Sequence, residues 1–456
     1  MHLRVGIGIA AALISVALPL DGAGGEGAPQ PRSHLDRSFG RGGHLLTPGL
    51  TPGRVAMDRA GRILTASGSA QALLVSRYLP DGRLDRSFGK GGTAEVSLER
   101  FASGPEPEEE REGSGIAEAS ALAIQGDRRI LAAGTMDTDF GQVSVLARLR
   151  PGGRIDATFD RGDRSSSASG QRDLGLAVNS ILPLRDKIVL AGTTHRAAVW
   201  RLERDGGLDP SFGVGRRPGK VALPPPPEGR THYHVEASFG GVLPGPRGTL
   251  FAAGFDLGAL LLAQLRRDGA LDRHFAGHGM VEVNPSARRG CGCFAGGFLA
   301  RDGHGRLLIA GSLEARSGTS RHKRAVLARY FADGELDRSF DDGGFVRVGA
   351  NTATYVNGVL VDREGRVILT GSSAAARPEH GDGPQSFTVI RLLPNGERDP
   401  SFFGDGVFKS RFGGSAATAT QAVAGSGGDL VVAGAVYHGL RRGRLVQNPI
   451  LVGFSG

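Results

Sequence analysis

The chain is poor in most of the features that make a functional site easy to read. In 456 residues there are two cysteines and one tryptophan, and aromatic residues make up 6%. Lysine occurs only at 90, 187, 220, 323 and 409, so the formal net charge of +9 is carried by arginine. The arginines are scattered one or two to a segment and are not gathered into a run with aromatic platforms. That distribution describes a solvated basic surface and argues against nucleic acid as the partner. There is no G-x-S-x-G elbow and no H-E-x-x-H, which removes the usual serine-hydrolase and zinc-protease signatures. No D-x-[DN]-x-[DN]-G calcium loop is present. No segment has the 3.6-residue apolar period of an amphipathic helix. Beyond the first twenty residues no apolar run is long enough to cross a bilayer as a helix.

Glycine, by contrast, is abundant, with 74 residues, as expected of a chain that turns often between short strands. At the N-terminus, His2 and Arg4 precede an apolar run over residues 5–20, followed by the small and polar residues 21–28. This is the tripartite pattern of a secretory signal peptide. Residues 1–28 are therefore expected to be removed, leaving residues 29–456 as a single exported domain. No cysteine lies beside the run, so lipid anchoring has no support.

The organising feature is a repeat. L-D-R-S-F-G at residues 35–40, with Asp36 and Phe39, returns with Asp85 and Phe88, and in looser form with Asp156 and Phe159. Further copies carry Asp209 and Phe212, Asp272 and Phe275, Asp337 and Phe340, and Asp399 and Phe402. The seven aspartates stand 49 to 71 residues apart, about 60 on average. Each copy is followed by a short alternating segment such as residues 345–348 or 280–283, the period of a half-exposed strand. Next come a small apolar segment (residues 119–124, 357–361) and a D/R-x-x-G turn. A continuous apolar run then follows, at residues 63–67, 130–134, 188–192, 250–254, 307–311, 367–371 and 430–434. These runs are too short for helices and suit strands covered on both faces. A last strand leads into Asp81-Gly82, Gly152-Gly153, Asp205-Gly206, Asp268-Gly269, Asp333-Gly334 or Asn395-Gly396, dipeptides that supply the positive φ of tight turns. Four strands per unit and seven units predict an all-β fold, a β-propeller of seven four-stranded blades.

The D-G-x-L-D-x-S-F-G turn, paired with G-R-I-L-x-A-G, resembles the delta-60 repeat of bacterial secreted and cell-surface proteins. The resemblance spans residues 33–452 and implies a propeller, but no particular activity or cofactor. The copies are unequal. The third reads Phe159-Asp160 where Phe-Gly is expected, and its following strand near residues 165–172 is hard to discern, so this copy is expected to pack more loosely. Residues 450–454 end without a copy of the turn, whereas the first copy has no strand before it. The two ends are thus expected to complete one blade and close the ring, removing exposed sheet edges.

Several residues invite a chemical reading. Seven aspartates in equivalent turns could suggest a calcium array, but each copy offers one carboxylate where calcium takes six to eight oxygens. The expectation is that each Asp accepts backbone N–H groups within its own turn, and that each Phe is core between blades. Cys291 and Cys293, in C-G-C, are expected to be joined by a disulfide in an exported chain. A zinc site with His232 and His234 has no support beyond residue type. Arg161-Gly162-Asp163 spells an adhesion tripeptide that an Arg- and Gly-rich chain produces by chance. No metal or cofactor is expected.

The sequence thus points to a secreted or extracytoplasmic binding or scaffolding protein, expected to be a monomer, for an extracellular or cell-surface ligand it does not name. The alternative is an extracellular propeller enzyme acting on glycan, lactone or peptide at the mouth of the central channel. Convergence of non-repeated ionisable residues at that mouth is the feature that separates the two. Intact-mass measurement of the chain expressed in a bacterial host should show an N-terminus between residues 22 and 29 and two hydrogens lost at Cys291 and Cys293. A product beginning at Met1, or free thiols, would contradict this.

Overall fold

A computed structural model describes residues 35–51, 53–98, 117–138, 141–160, 171–175, 177–194, 196–213, 218–223, 237–256, 259–283, 294–317, 320–348, 352–377, 381–425, 428–441 and 444–456. The segment expected to be a signal peptide, Cys291, Cys293, His232, His234 and the Arg161–Asp163 tripeptide lie outside these residues.

Seven antiparallel sheets account for the described chain, and no α-helix occurs among its residues. Blade 2 serves as the pattern. Its strands Ala117–Ile124, Ile130–Thr138, Gly141–Leu149 and Gln171–Asp173 pair in that order. The first strands of the blades are Arg54–Met57, Ala117–Ile124, Ala177–Pro183, Ser238–Pro244, Phe294–Arg301, Thr352–Val361 and Ala416–Ala424. Each touches the first strand of the next blade, and the seventh touches the first again. They are the inner wall of a closed ring, and the fold is a seven-bladed β-propeller.

Strand character follows position. The second strands, such as Ile63–Ser69 and Lys187–Thr193, are buried almost throughout, because they have a sheet on either side. The outermost strands Thr93–Ser97 and Phe345–Val348 alternate buried and exposed residues, as strands with one wet face do. Six of the seven innermost strands carry a β-bulge, at the residue between Ala119 and Ala121 in blade 2 and between Ala419 and Gln421 in blade 7, for example. Blade 6 has an extra two-residue strand, Gly381–Asp382, on the end of its second strand.

Burial divides the same way. The core consists of seven apolar clusters, and each holds one repeated phenylalanine: Phe39, Phe88, Phe159, Phe212, Phe275, Phe340 or Phe402. Each cluster draws on two neighbouring blades, so no blade buries its faces alone.

The ring is closed by the two ends of the described chain. Blade 7 is built from Ala416–Ala424, Leu430–Arg441 and Arg444–Phe454, and its outermost strand is His44–Leu46. His44 pairs with Val452 and Leu46 with Ile450, while Leu35 bridges to Phe454. Phe39 then packs with Val431, Ala433 and Leu451 of blade 7 and with Val55 and Ile63 of blade 1. Deleting residues 35–40 should therefore raise amide hydrogen exchange at Leu430–Gly434 as much as at Ile63–Ser69. Unchanged protection at 430–434 would mean that the ends do not hold each other.

Candidate functional site

The repeated residues come together at the blade junctions, at five of the seven in one arrangement. In blade 2, Asp156 accepts the backbone N–H (3.2 Å) and hydroxyl (2.7 Å) of Thr158 on Oδ1. Its Oδ2 accepts Nε of Arg148, eight residues earlier on the third strand, at 2.9 Å. The Arg148 guanidinium lies 4.5 Å from the Phe159 ring centroid, and its Nη1 donates to the carbonyl of Arg204 in blade 3. Asp160 then takes φ +56°, which directs its N–H to the Asp205 carbonyl of blade 3 at 2.6 Å. Beyond that carbonyl, Gly206 sits on the Phe159 ring. With φ +100° and an added Cβ only 2.8 Å from the ring, that position requires glycine.

Five junctions share the arginine. Arg77, Arg201, Arg329 and Arg391 hold Asp85, Asp209, Asp337 and Asp399 at 2.6 to 2.7 Å, over Phe88, Phe212, Phe340 and Phe402. A second cation often joins: Arg129 reaches Asp156 at 2.9 Å, and Lys187 reaches Asp209 at 3.1 Å. Two junctions differ. In blade 4 the arginine is replaced by Gln264, whose amide donates to Thr249, while Asp272 accepts the N–H of His274 and Phe275 packs near Phe251. At the closure it is replaced by Gly453, whose carbonyl accepts the Asp36 N–H while Asp36 accepts Ser38. A Cβ on Gly453 would lie 2.6 Å from the Phe39 ring, so no arginine fits there.

The third copy, expected to be loose, is as tight as the others. Phe159 is fully buried, and an aspartate occupies the left-handed position that a glycine holds elsewhere. Ala276, Asp341 and Phe403 do the same in their copies, so the requirement is for the conformation and its N–H, not for glycine. The arginines were absent from the sequence-based expectation. Their signal was an Arg eight residues before the repeated Asp, legible in five of seven copies.

Non-repeated polar groups concentrate in the channel. The residues just after the bulge level pair with Ala or Thr of the second strand: Arg54 with Ala66, Ala121 with Ala133, Ser180 with Ala191, Gly241 with Ala253, Phe298 with Ala310, Gly358 with Thr370 and Gln421 with Ala433. They form one layer of the ring. The neighbouring strands approach closely here, because a Cβ on Gly241 would be 2.8 Å from Leu299 and one on Gly358 2.9 Å from the Thr420 carbonyl. Bulge side chains lace the strands together: Asn179 donates to Ser238 and to the Phe239 carbonyl, Asn357 to Thr418 and to the Ala419 carbonyl, and Thr420 to the Gly53 carbonyl.

Arg54 and Glu118 bring charge to this wall. Among the described residues of the innermost strands, the charged side chains are Arg54, Glu118 and Arg301. Arg301 lies at the other end, where it donates to the Pro244 carbonyl at 2.8 Å. Burial pulls the Arg54 guanidinium below its ordinary pKa, and the charge of Glu118 partly offsets this. Burial, and then Glu118, pushes the Tyr437 phenol of blade 7 up to about 12, so it stays protonated as a donor. Gln421 accepts the Val55 N–H on Oε1 at 3.2 Å, which sets its amide beside the strand of Arg54. Nothing in the sequence pattern marks these residues, because none is repeated. A separate groove of about 530 Å³ opens on the rim of blade 3, lined by Leu174, Ala198, Trp200, Leu208 and Lys220. The Lys220 ammonium already covers the Trp200 ring at 3.8 Å. No group of three or more His, Cys, Asp or Glu suited to a metal occurs among the described residues.

The family model "Domain of unknown function (DUF5122) beta-propeller" matches residues 125–159, 186–212, 305–340 and 365–402. Each stretch runs from the turn before a second strand to the repeated phenylalanine. This chain shares a propeller repeat with that family. No curated protein matches the sequence. Similar solved structures include a protein of unknown function from Dyadobacter fermentans (15% identity, 90% of this chain and 98% of that one, TM-score 0.39). Polysaccharide lyase Uly1 (9%, 93% and 94%, TM-score 0.44) and extracellular domains 1-2 of Drosophila Semaphorin 1a (8%, 91% and 87%, TM-score 0.41) are similar to a like degree. At these scores the likenesses carry no argument about what the chain binds or does.

Two outcomes follow from the junction geometry. Arg148→Met leaves the buried Asp156 with only the more exposed cations Arg129 and Arg150 and should cost about 3–5 kcal/mol in urea unfolding, whereas Gln264→Met should cost about 1 kcal/mol or less. Phe88→Ala, Phe159→Ala, Phe212→Ala and Phe340→Ala should each cost about 3–5 kcal/mol, with Phe159 no cheaper than the rest.

A third outcome concerns pH. Burial alone would raise Asp156, but the hydrogen bonds from Thr158 and the charges of Arg148 and Arg129 outweigh it and hold the carboxyl down to about 2. A depressed folded-state pKa adds stability that is complete above the unfolded value of about 4 and is lost as pH falls through the folded one. Melting temperature should therefore fall between about pH 4 and pH 2. Asp156→Asn should flatten part of that slope, and an unaltered slope would contradict the assignment.

Proposed function

We propose that this propeller is an exported binding module that recognises its ligand in the central channel, at the end lined by Arg54 and Glu118. The observation that carries the reading is the contrast between repeated and non-repeated residues. The repeated Asp, Arg and Phe are engaged in holding blade to blade, while the charged pair on adjacent innermost strands has no counterpart among the described residues of the other innermost strands. Among the described residues of those strands there is one carboxylate, not the two that acid–base glycan hydrolysis uses. That favours recognition over catalysis. Export is supported by the basic and apolar N-terminal segment, and the partner is accordingly an extracellular or cell-surface molecule. No helix among the described residues is long and apolar enough to cross a membrane.

Arrays of glycans and of peptides probed with the mature protein test this reading. A ligand bound without turnover should be retained by Arg273→Ala, a rim substitution, and lost by the double variant Arg54→Ala, Glu118→Ala. Cleavage of an array component by the wild type would instead support the enzyme alternative.

A further inference from the structure

The donors in the channel are unevenly placed. Arg54 is half-buried, and its guanidinium makes no hydrogen bond or ion pair to another described residue. The five arginines at blade junctions, in contrast, each hold a carboxylate. A guanidinium presents five N–H donors in a planar fork that matches an oxyanion in two-point contact. Gln421, one blade back in the same layer, has its Oε1 fixed by the Val55 N–H, which leaves its amide nitrogen as the donor. Tyr437, paired with Ala416 ahead of the bulge as Glu118 is in blade 2, adds a hydroxyl donor at the same end of the ring. Water reaches this region, because Glu118 and Asn179 are exposed although both belong to innermost strands. The layer also has room between its large side chains, since four of its seven positions are Ala121, Ser180, Gly241 and Gly358.

We infer that the channel binds a small hydroxylated carboxylate, with Arg54 and the Gln421 amide gripping the carboxylate and Glu118 accepting hydrogen bonds from the ligand's hydroxyls. The inference rests on the binding reading above and gives it a chemical class. Charge selects the ligand in two steps. The desolvated guanidinium favours an anion, because a paired charge in a low-dielectric channel is worth more than in water. Glu118, close enough to act on Arg54 electrostatically, repels a dianion and rewards a ligand that brings hydroxyl donors beside its single negative charge.

Titration calorimetry of the full mature protein with sodium D-gluconate, D-sorbitol, sodium acetate and sodium sulfate provides the test. Gluconate and sorbitol share the hydroxylated chain and differ at the carboxylate. Saturable binding is expected for gluconate, at least tenfold weaker binding for acetate, and none for sorbitol. Arg54→Gln should weaken gluconate at least tenfold. Arg54→Lys, which keeps the charge but loses the fork, should fall between that variant and the wild type, and its melting curve guards against a folding defect. Arg301→Gln, at the opposite end of the channel, should bind as the wild type does. No saturable gluconate binding, equal affinity for sulfate, or full affinity in Arg54→Gln would overturn the inference. Should the arrays reveal a neutral ligand that depends on Arg54 and Glu118, the binding reading would stand and the carboxylate assignment would fall.

Discussion

Everything in this molecule depends on how one blade grips the next. A four-stranded sheet of this size has two apolar faces and cannot cover either by itself. The grip is an aromatic ring held between an arginine of its own blade and a glycine turn of the neighbour, with Phe159 between Arg148 and Gly206 as the pattern. The arginine does three things at once. It neutralises the buried aspartate that shapes the turn, covers the ring face, and donates across the junction to a backbone carbonyl. The left-handed residue after the phenylalanine adds an N–H to a second carbonyl of the same turn. Each contact is modest alone, but all meet on a few atoms, and removing the arginine leaves several buried polar groups with fewer partners.

The exceptions show which parts are interchangeable. Blade 4 manages with Gln264, so the buried ion pair is not obligatory for packing. That agrees with the general finding that buried pairs contribute little over a well-packed neutral alternative. At the closure, where Gly453 excludes an arginine, aromatic packing is dense nearby. Phe402, Phe403, Phe408 and Phe454 stack with centroid separations of 4.9 to 6.4 Å among themselves and Phe387, and His44 lies 5.1 Å from Phe412. These rings pack between blades 6 and 7, where Arg391 still holds Asp399, next to the short strand His44–Leu46 that completes the ring.

This division of labour frees the channel. The turns at one end of the blades are committed to junctions and satisfied internally, so they offer little to a ligand. The innermost strands are laced by Asn179, Asn357 and Thr420, which keeps the channel wall in register. Against that fixed wall, a guanidinium in contact with no carboxylate of the described residues and an exposed glutamate are conspicuous. A rigid ring also holds such groups at set distances without further ordering on binding, which favours recognition of a small ligand.

The repeat by itself determined the blade count, the four-strand unit, the burial of the second strands and the joining of the two ends in one blade. Periodic sequence forces periodic contacts, so seven copies of a turn with Asp three residues before Phe were enough to infer seven junctions. Which atoms meet across those junctions was decided by the tertiary structure. One partner of Arg148, the Arg204 carbonyl, lies on the neighbouring blade, and no local pattern encodes that contact. The third copy illustrates the limit, since Asp160 looked like a defect in the motif yet adopts the same left-handed geometry as Gly89. The channel was not legible at all. Residues 54, 118, 421 and 437 occur once each, and only ring closure and bulge register bring them to one end of the channel. A property that depends on closing a chain into a circle has no signature in any one stretch of it.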